Sequence, residues 1–168
     1  MILVTTGTTG PPFDRLLREL DGIAGGEELV VQHGPSSIRP RGAVCVDYVT
    51  FASLVELVRR ARIVVTHAGV GSVLVSFMNG KRPIVLPRLA RFGEAVDDHQ
   101  LELARRLAQQ GLVVHIDNAR NLREVIDSGV LAQPNAIPLD GRSEGLVIDL
   151  RRYIFSVVGA APAAQHAL

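Results

Sequence analysis

The chain of 168 residues predicts an α/β fold, a Rossmann-like parallel sheet with helices on both faces. Short apolar runs alternate with segments whose apolar residues recur at helical spacing. The runs are apolar throughout rather than at every second position, which is typical of strands buried on both sides of a parallel sheet. A glycine-rich turn directly follows one run, as it does where a parallel sheet binds a nucleotide.

Six apolar runs predict the strands, which occupy residues 2–5, 29–31, 43–46, 63–66, 84–86 and 112–116. Helical spacing of apolar residues predicts the segments between them. The first helix has the apolar face Phe13, Leu16, Leu17 and Leu20, and the second has Leu54, Leu57, Val58 and Ala61. Three further helices are predicted at residues 71–79, about 98–110 and 122–127.

The regular alternation ends near residue 130, which predicts one Rossmann-like domain over residues 1–130 and an extension over 131–168. Within the extension a helix is predicted at about 146–158, with the apolar stripe Leu146, Leu150, Ile154 and Val157. This stripe either packs on its own domain or docks on a partner subunit. The sequence leaves both alternatives open.

Composition argues against several classes of protein. The net charge is +1 and no basic block occurs, which disfavours nucleic acid as a partner. The single cysteine, Cys45, lies in a predicted strand, so no disulfide framework is expected and a reducing cytosol is favoured. The first residues lack the basic region of a signal peptide, and no run reaches the roughly 20 apolar residues of a membrane span. A cytoplasmic chain is therefore expected.

The loop after the first strand is a candidate phosphate site. Gly7, Thr8, Thr9 and Gly10 offer two hydroxyl groups and open backbone N–H groups at a point where Rossmann folds bind phosphate. The loop does not match the G-x-G-x-x-G fingerprint of dinucleotide binding. A plain tight turn is the alternative interpretation.

A second candidate follows the fourth strand, at residues 67–72. Gly69 and Gly71 permit close approach of a ligand, and Ser72 lies where a helix begins. His67 is either a general base or a structural hydrogen-bonding group, and no carboxylate at a fixed spacing would orient it as a base.

Polar residues also follow the fifth strand. Arg88 and Arg91 would suit an anionic ligand, or they belong to a solvated loop. Asp98, His99 and Gln100 either reach a sugar or ribose or belong to the start of a helix, where aspartate is an ordinary cap. No set of His and carboxylate residues recurs at ligand spacing, so no metal site is predicted. A nucleophile elbow and a P-loop are also missing.

Taken together and in order, these blocks resemble glycosyltransferase family 28, in the C-terminal domain of its members. The resemblance covers roughly residues 1–130 and is carried by 2–9, 13–16, 67–72, 80–83 and 98–104. More closely, the chain is similar to the small UDP-sugar-binding subunits of split exopolysaccharide and N-glycan-type transferases.

The resemblance implies the donor-binding half of a GT-B enzyme with inverting chemistry. It implies transfer of a sugar, a hexose or glucuronate, from a UDP-sugar to a lipid-linked oligosaccharide on a polyprenyl-diphosphate carrier, in polysaccharide biosynthesis. A membrane-anchored acceptor-binding subunit would be the partner and would hold the chain at the inner face of the plasma membrane. The general base is unassigned and expected on that partner, and no cofactor besides the donor is expected.

The donor-binding residues implied are Thr8, Thr9, His67, Gly69, Gly71, Ser72, Arg88, Glu94, Asp98, His99 and Gln100. The sequence departs from many relatives at Val75, where a glutamate binds the ribose hydroxyls, so ribose recognition is assigned to Glu94, Asp98 or Gln100. A non-catalytic module that enhances a partner transferase is an alternative. A sugar-nucleotide epimerase is disfavoured, because the dinucleotide fingerprint and a Tyr-x-x-x-Lys pair are missing.

Overall fold

The computed structural model of the chain describes residues 1–23 and 25–129. Six strands form one parallel sheet in the order β3-β2-β1-β4-β5-β6. They are β1 (Ile2–Thr5), β2 (Leu29–Gln32), β3 (Ala43–Val46), β4 (Ile63–Thr66), β5 (Ile84–Val85) and β6 (Val114–His115). The chain adds β2 and β3 on one side of β1 and then returns to place β4 on the other. The β1–β4 junction is therefore the topological switch point of the sheet.

Five α-helices and two short 3-10 helices connect or follow these strands. The α-helices are α1 (Asp14–Leu17), α2 (Phe51–Arg60), α3 (Val70–Met78), α4 (His99–Gln109) and α5 (Leu122–Asp127). The 3-10 helices are Ala90–Phe92 and Ala119–Asn121. Thr50 begins α2 with a side-chain cap, since its hydroxyl accepts from the backbone N–H of Ser53.

The two faces of the sheet are buried in separate apolar clusters. Leu3 is paired with Val30 and Val64, and this row packs against α2 and α3. Ile2 and Val4 belong to the opposite cluster, which includes residues of α1 and α5. Helices thus cover both faces, and the predicted α/β class is confirmed.

The structure shortens several predicted elements, and the first helix and the sixth strand lose the most residues. The first helix keeps only four residues, Asp14–Leu17. Leu20 remains fully buried outside it, in a stretch where the backbone N–H groups of Glu19 and Leu20 donate three residues back, to Leu16 and Leu17. The sixth strand forms ladder pairs over only two residues, which lie at the edge of the sheet beside the two-residue β5.

The predicted extension over 131–168, with its helix at about 146–158, lies outside the described residues and stays a prediction. Within the described residues, no helix has the length and apolar character needed to cross a membrane.

Candidate functional site

A cavity of about 290 Å³ lies at the carboxyl ends of β1, β2 and β4, at the switch point of the sheet. Of the eleven residues predicted to bind a donor, six line it: Thr8, Thr9, His67, Gly69, Gly71 and Ser72. Its other lining residues are Thr5, Gly7, Gln32, Val49, Phe51, Leu54 and Val75. The structure thereby brings the two glycine-rich segments of the sequence into one site.

One wall of the cavity is the first turn of α3. Gly69 is the N-cap residue and provides no side-chain hydrogen bond, so the first-turn N–H groups have no side-chain cap. Gly69, Gly71 and Ser72 all line the cavity. A helix start of this kind attracts an anion through its free N–H groups and its dipole. None of the described lining residues is an aspartate, glutamate, lysine or arginine, so the attraction is that of backbone dipoles and hydroxyl groups.

The imidazole of His67 lies between two glycines. A Cβ on Gly7 would be 3.0 Å from its Cε1, and a Cβ on Gly69 would be 2.1 Å from its Nε2. The Thr66 hydroxyl lies 3.4 Å from Nδ1. A Cβ on Gly69 would therefore overlap the ring, and a Cβ on Gly7 would crowd it.

His67 is a neutral hydrogen-bonding group. Burial, and then the positive charge of Arg88, lower its pKa to about 4 from the ordinary value of 6.5. An effective general base has a pKa near the working pH. A neutral imidazole of such low basicity favours the second interpretation of the sequence, a hydrogen-bonding role.

Gln32 is a site residue that the sequence pattern did not reveal. Its amide nitrogen donates to the carbonyl oxygens of Gly7 (2.9 Å) and Asp47 (3.0 Å), and its amide oxygen accepts from the Gly7 N–H at 3.2 Å. The side chain thus fixes the start of the glycine-rich loop. The available signal was a polar residue at the end of an otherwise apolar strand, Leu29–Gln32.

The remaining wall is apolar and includes Val49, Phe51, Leu54 and Val75. Phe51 is 67% exposed and begins α2, so much of its side chain is free for contact with a ligand. Val75 is buried at this wall.

Arg88, Glu94 and Gln100 form a separate buried cluster. The Arg88 guanidinium donates to the carbonyl oxygens of Thr6 (2.7 Å), Pro11 (2.5 Å) and Glu94 (3.2 Å). The Gln100 side-chain oxygen accepts from the backbone N–H of Arg88 at 3.2 Å. These groups have protein partners and do not line the cavity in the described part of the chain.

Glu94 is the anionic centre of this cluster. Its carboxylate accepts from Arg15 through two guanidinium nitrogens, at 3.0 and 2.9 Å, and from the Leu89 N–H at 3.1 Å. Arg15 also donates to the Pro87 carbonyl oxygen at 2.8 Å. Contact of Glu94, Arg88 or Gln100 with the sugar or ribose of a donor stays a prediction.

Asp98 and His99 lie outside the cavity as well. The Asp98 carboxylate accepts from the Ala90 N–H at 2.9 Å and lines a small pocket of about 100 Å³ with Arg91 and Arg105. His99 is exposed and bonds through Nδ1 to the carboxylate of Asp97. The structure therefore does not place Asp98 or His99 at the cavity, and their predicted contact with a donor stays a prediction.

A larger groove of about 680 Å³ lies beside α1, between Pro11, Phe92 and Arg120. Its charges are largely matched within the groove: Arg15 with Glu94, Arg18 with Asp14 at 3.6 Å, and Arg120 with Glu19 at 4.0 Å. We therefore place the candidate functional site in the smaller cavity, where both predicted glycine-rich segments meet.

Across residues 1–23 and 25–129, no group of three or more His, Cys, Asp or Glu residues could hold a metal ion.

An all-parallel sheet with a cavity at its switch point defines a Rossmann-like domain. Residues 1–142 match the glycosyltransferase family 28 C-terminal domain, and the chain belongs to this family. The predicted family is thus confirmed.

Among curated proteins, the chain is 30% identical over 124 residues to the human UDP-N-acetylglucosamine transferase subunit ALG13. The match covers 66% of this chain and 10% of the human protein. The chain therefore spans about a tenth of that relative.

Solved glycosyltransferases share the fold at low sequence identity. SnogD from Streptomyces nogalater has a TM-score of 0.57 at 18% identity, with 80% of this chain and 36% of that one covered. The calicheamicin glycosyltransferase CalG4 gives 0.57 at 18%, over 93% and 43%. The kitacinnamycin glycosyltransferase gives 0.51 at 17%, over 91% and 40%. The chain has the fold of one Rossmann-like half of a GT-B glycosyltransferase.

Proposed function

We propose that the chain is the donor-binding half of a UDP-sugar glycosyltransferase and that its cavity holds the nucleotide diphosphate. The observation that carries this is the meeting of the Thr8–Thr9 loop and the α3 helix start in one cavity at the switch point. Such a site binds the diphosphate through N–H and hydroxyl groups. During transfer these same groups stabilise the negative charge that develops on the departing diphosphate.

The apolar wall supports a uridine at the other end of the cavity. Phe51, Val49 and Leu54 offer an aromatic face and aliphatic contacts. A pyrimidine ring stacks on an aromatic side chain at this kind of wall. The human relative is a UDP-N-acetylglucosamine transferase subunit, which supports a UDP-sugar as the donor class.

We further propose that a second, membrane-anchored polypeptide binds the acceptor. The relative is a subunit, and the solved transferases with this fold are more than twice as long as the matched region. In this proposal the partner supplies the general base, because the most basic side chain lining the cavity, His67, has a pKa of about 4. The reaction is inverting transfer to a polyprenyl-diphosphate-linked acceptor in polysaccharide biosynthesis, at the cytoplasmic membrane surface.

Calorimetry on the full chain tests the donor assignment. UDP should bind with measurable affinity in the presence of EDTA, because the proposed diphosphate contacts are N–H and hydroxyl groups, and ADP should bind at least tenfold more weakly. A Thr8→Val, Thr9→Val double variant should lose UDP affinity, whereas Arg106→Met, an exposed residue of α4 that does not line the cavity, should retain it. Equal affinity for ADP and UDP would overturn the uridine assignment, and binding of neither would overturn the donor site.

The partner assignment needs an activity measurement. The chain should transfer sugar from a UDP-sugar to a lipid-linked acceptor only after addition of a membrane fraction that contains the partner subunit. Transfer by the purified chain alone would contradict the two-component proposal. Enhanced transfer by a partner that is active without this chain would favour the accessory-module alternative.

A further inference from the structure

The Arg88 side chain connects the two ends of the candidate phosphate loop. Its guanidinium donates to the carbonyl oxygen of Thr6, which precedes the loop, and to that of Pro11, which follows it. The loop between them is Gly7–Gly10, of which Thr8, Thr9 and Gly10 are exposed. One buried side chain therefore forms hydrogen bonds at both ends of an exposed loop that lines the cavity.

The chain holds Arg88 itself in a fixed position. Only 3% of the residue is exposed, its guanidinium carbon lies 4.9 Å from the centre of the Phe13 ring, and its backbone N–H donates to Gln100. The planar fork of arginine can address two carbonyl groups at once, whereas a lysine ammonium is a single point of charge. Here two separate nitrogens of one planar guanidinium, Nη1 and Nη2, bind the carbonyl oxygens of Pro11 and Thr6.

Arg88 also adds a positive charge behind the loop. The Glu94 carboxylate forms hydrogen bonds with Arg15 and acts on Arg88 only through its charge, so Arg15, Arg88 and Glu94 together carry one net positive charge. The positive charge of Arg88 acts on His67 in the cavity and lowers the pKa of that histidine. The same charge would attract a diphosphate held on the cavity side of the loop.

We propose that Arg88 is a positioning residue of the donor site, which holds the Gly7–Gly10 loop in its binding conformation and supplies positive charge behind it without contacting the donor. The inference rests on the proposed function for its ligand. The connection between Arg88 and the loop is a property of the free protein and is tested separately.

Three variants of the full chain separate the effects of shape and charge. Arg88→Met removes both the carbonyl contacts and the charge, and Arg88→Lys keeps the charge but replaces the planar guanidinium fork by a single ammonium. Arg106→Met, on the exposed face of α4, is the control. The readouts are UDP affinity by calorimetry, and backbone order parameters of Thr8 and Thr9 and the His67 pKa by NMR without ligand.

We expect wild-type order parameters near the rigid value of about 0.85 for Thr8 and Thr9, and values below about 0.6 in both Arg88 variants. UDP affinity should fall at least tenfold in Arg88→Met and less in Arg88→Lys. The His67 pKa should rise in Arg88→Met, because a neighbouring positive charge is lost, and stay low in Arg88→Lys. Arg106→Met should match wild type in all three measurements.

A folded Arg88→Met variant with a rigid loop and wild-type UDP affinity would overturn the inference. So would a mobile Thr8–Thr9 loop in the wild-type protein, a measurement that needs no variant to fold. If wild type binds no UDP but its loop is rigid and loosens in Arg88→Lys, the proposed function fails while the structural connection stands.

Discussion

Gly69 packs so closely against His67 that a Cβ at position 69 would lie 2.1 Å from Nε2 of the imidazole. The backbone of Gly69 itself is ordinary, with φ −72° and ψ 126°. The requirement for glycine there comes from the neighbouring ring and not from backbone strain. Two glycines of one turn therefore have different roles, since a Cβ on Gly71 would meet no atom within 4 Å.

The two glycines predict contrasting alanine variants. Gly69→Ala should displace the His67 ring, lower the melting temperature and weaken UDP binding. Gly71→Ala should leave the free protein unchanged or more stable by up to about 1 kcal/mol, because alanine is the better helix former. It should still weaken UDP binding, since Gly71 lines the cavity. Thermal unfolding and calorimetry of both variants check this, and equal melting temperatures would contradict the packing of Gly69 on His67.

The low pKa of His67 predicts an acid-dependent loss of stability. The folded state holds this histidine with a pKa of about 4, whereas in the unfolded chain the value is near 6.5. Between these pH values the unfolded state binds more protons, so stability falls as pH falls through the window. The full difference, of the order of 3 kcal/mol, is present above pH 6.5 and absent below pH 4.

His67→Gln isolates this effect, since glutamine keeps hydrogen-bonding groups without a titrating proton. Urea unfolding of both proteins from pH 7 to pH 4 should show wild type losing more stability than the variant. Carboxylates titrate alike in the two proteins and cancel in the difference. Parallel curves would mean that His67 keeps an ordinary pKa.

The strands and most helices could be predicted because their signals are local. A wholly apolar run marks β1 at Ile2–Thr5 without regard to its partners, and the observed strand has the same bounds. Helix α3 is predicted at residues 71–79 and observed one residue earlier, at Val70–Met78, with Gly69 as its N-cap and Asn79 as its C-cap. The meeting of the two glycine-rich segments could also be predicted. They follow β1 and β4, and neighbouring parallel strands end at the same edge of the sheet.

The buried cluster could not be predicted in this way. Arg88 donates to Thr6, a residue 82 positions away in the sequence, and Arg15 donates to Glu94 over 79 positions. An arginine or glutamate after a strand is compatible with a ligand contact, a solvated loop or a buried pair. Only the packed structure distinguishes them, and here these side chains bind the protein's own loops.

The Arg15–Glu94 pair predicts a large stability effect from a small change. Glu94→Gln should destabilise the protein by about 2–4 kcal/mol, because it leaves the partly buried Arg15 cation without its carboxylate partner. Glu102→Gln breaks an exposed pair with Arg106 and should cost about 0.5 kcal/mol or less. Equilibrium unfolding in urea measures both, and similar small values for the two variants would show that the Glu94 pair contributes no more than a surface pair.

Phe51 predicts where the base of the nucleotide lies. The side chain is 67% exposed at the cavity rim, so its removal should cost the free protein little stability. Stacking of a base on an aromatic ring is worth about 1–3 kcal/mol, so Phe51→Ala should weaken UDP binding by roughly tenfold. Phe51→Tyr should retain affinity, because it preserves the ring.

Two comparisons make the Phe51 prediction specific to the base. Met78→Ala removes another exposed apolar side chain, one that does not line the cavity, and should leave UDP affinity unchanged. Inorganic diphosphate, which has no base, should bind Phe51→Ala and wild type equally. A parallel loss of diphosphate affinity would mean that the substitution disturbs the phosphate end of the cavity. An unchanged UDP affinity in Phe51→Ala would move the uracil away from this wall.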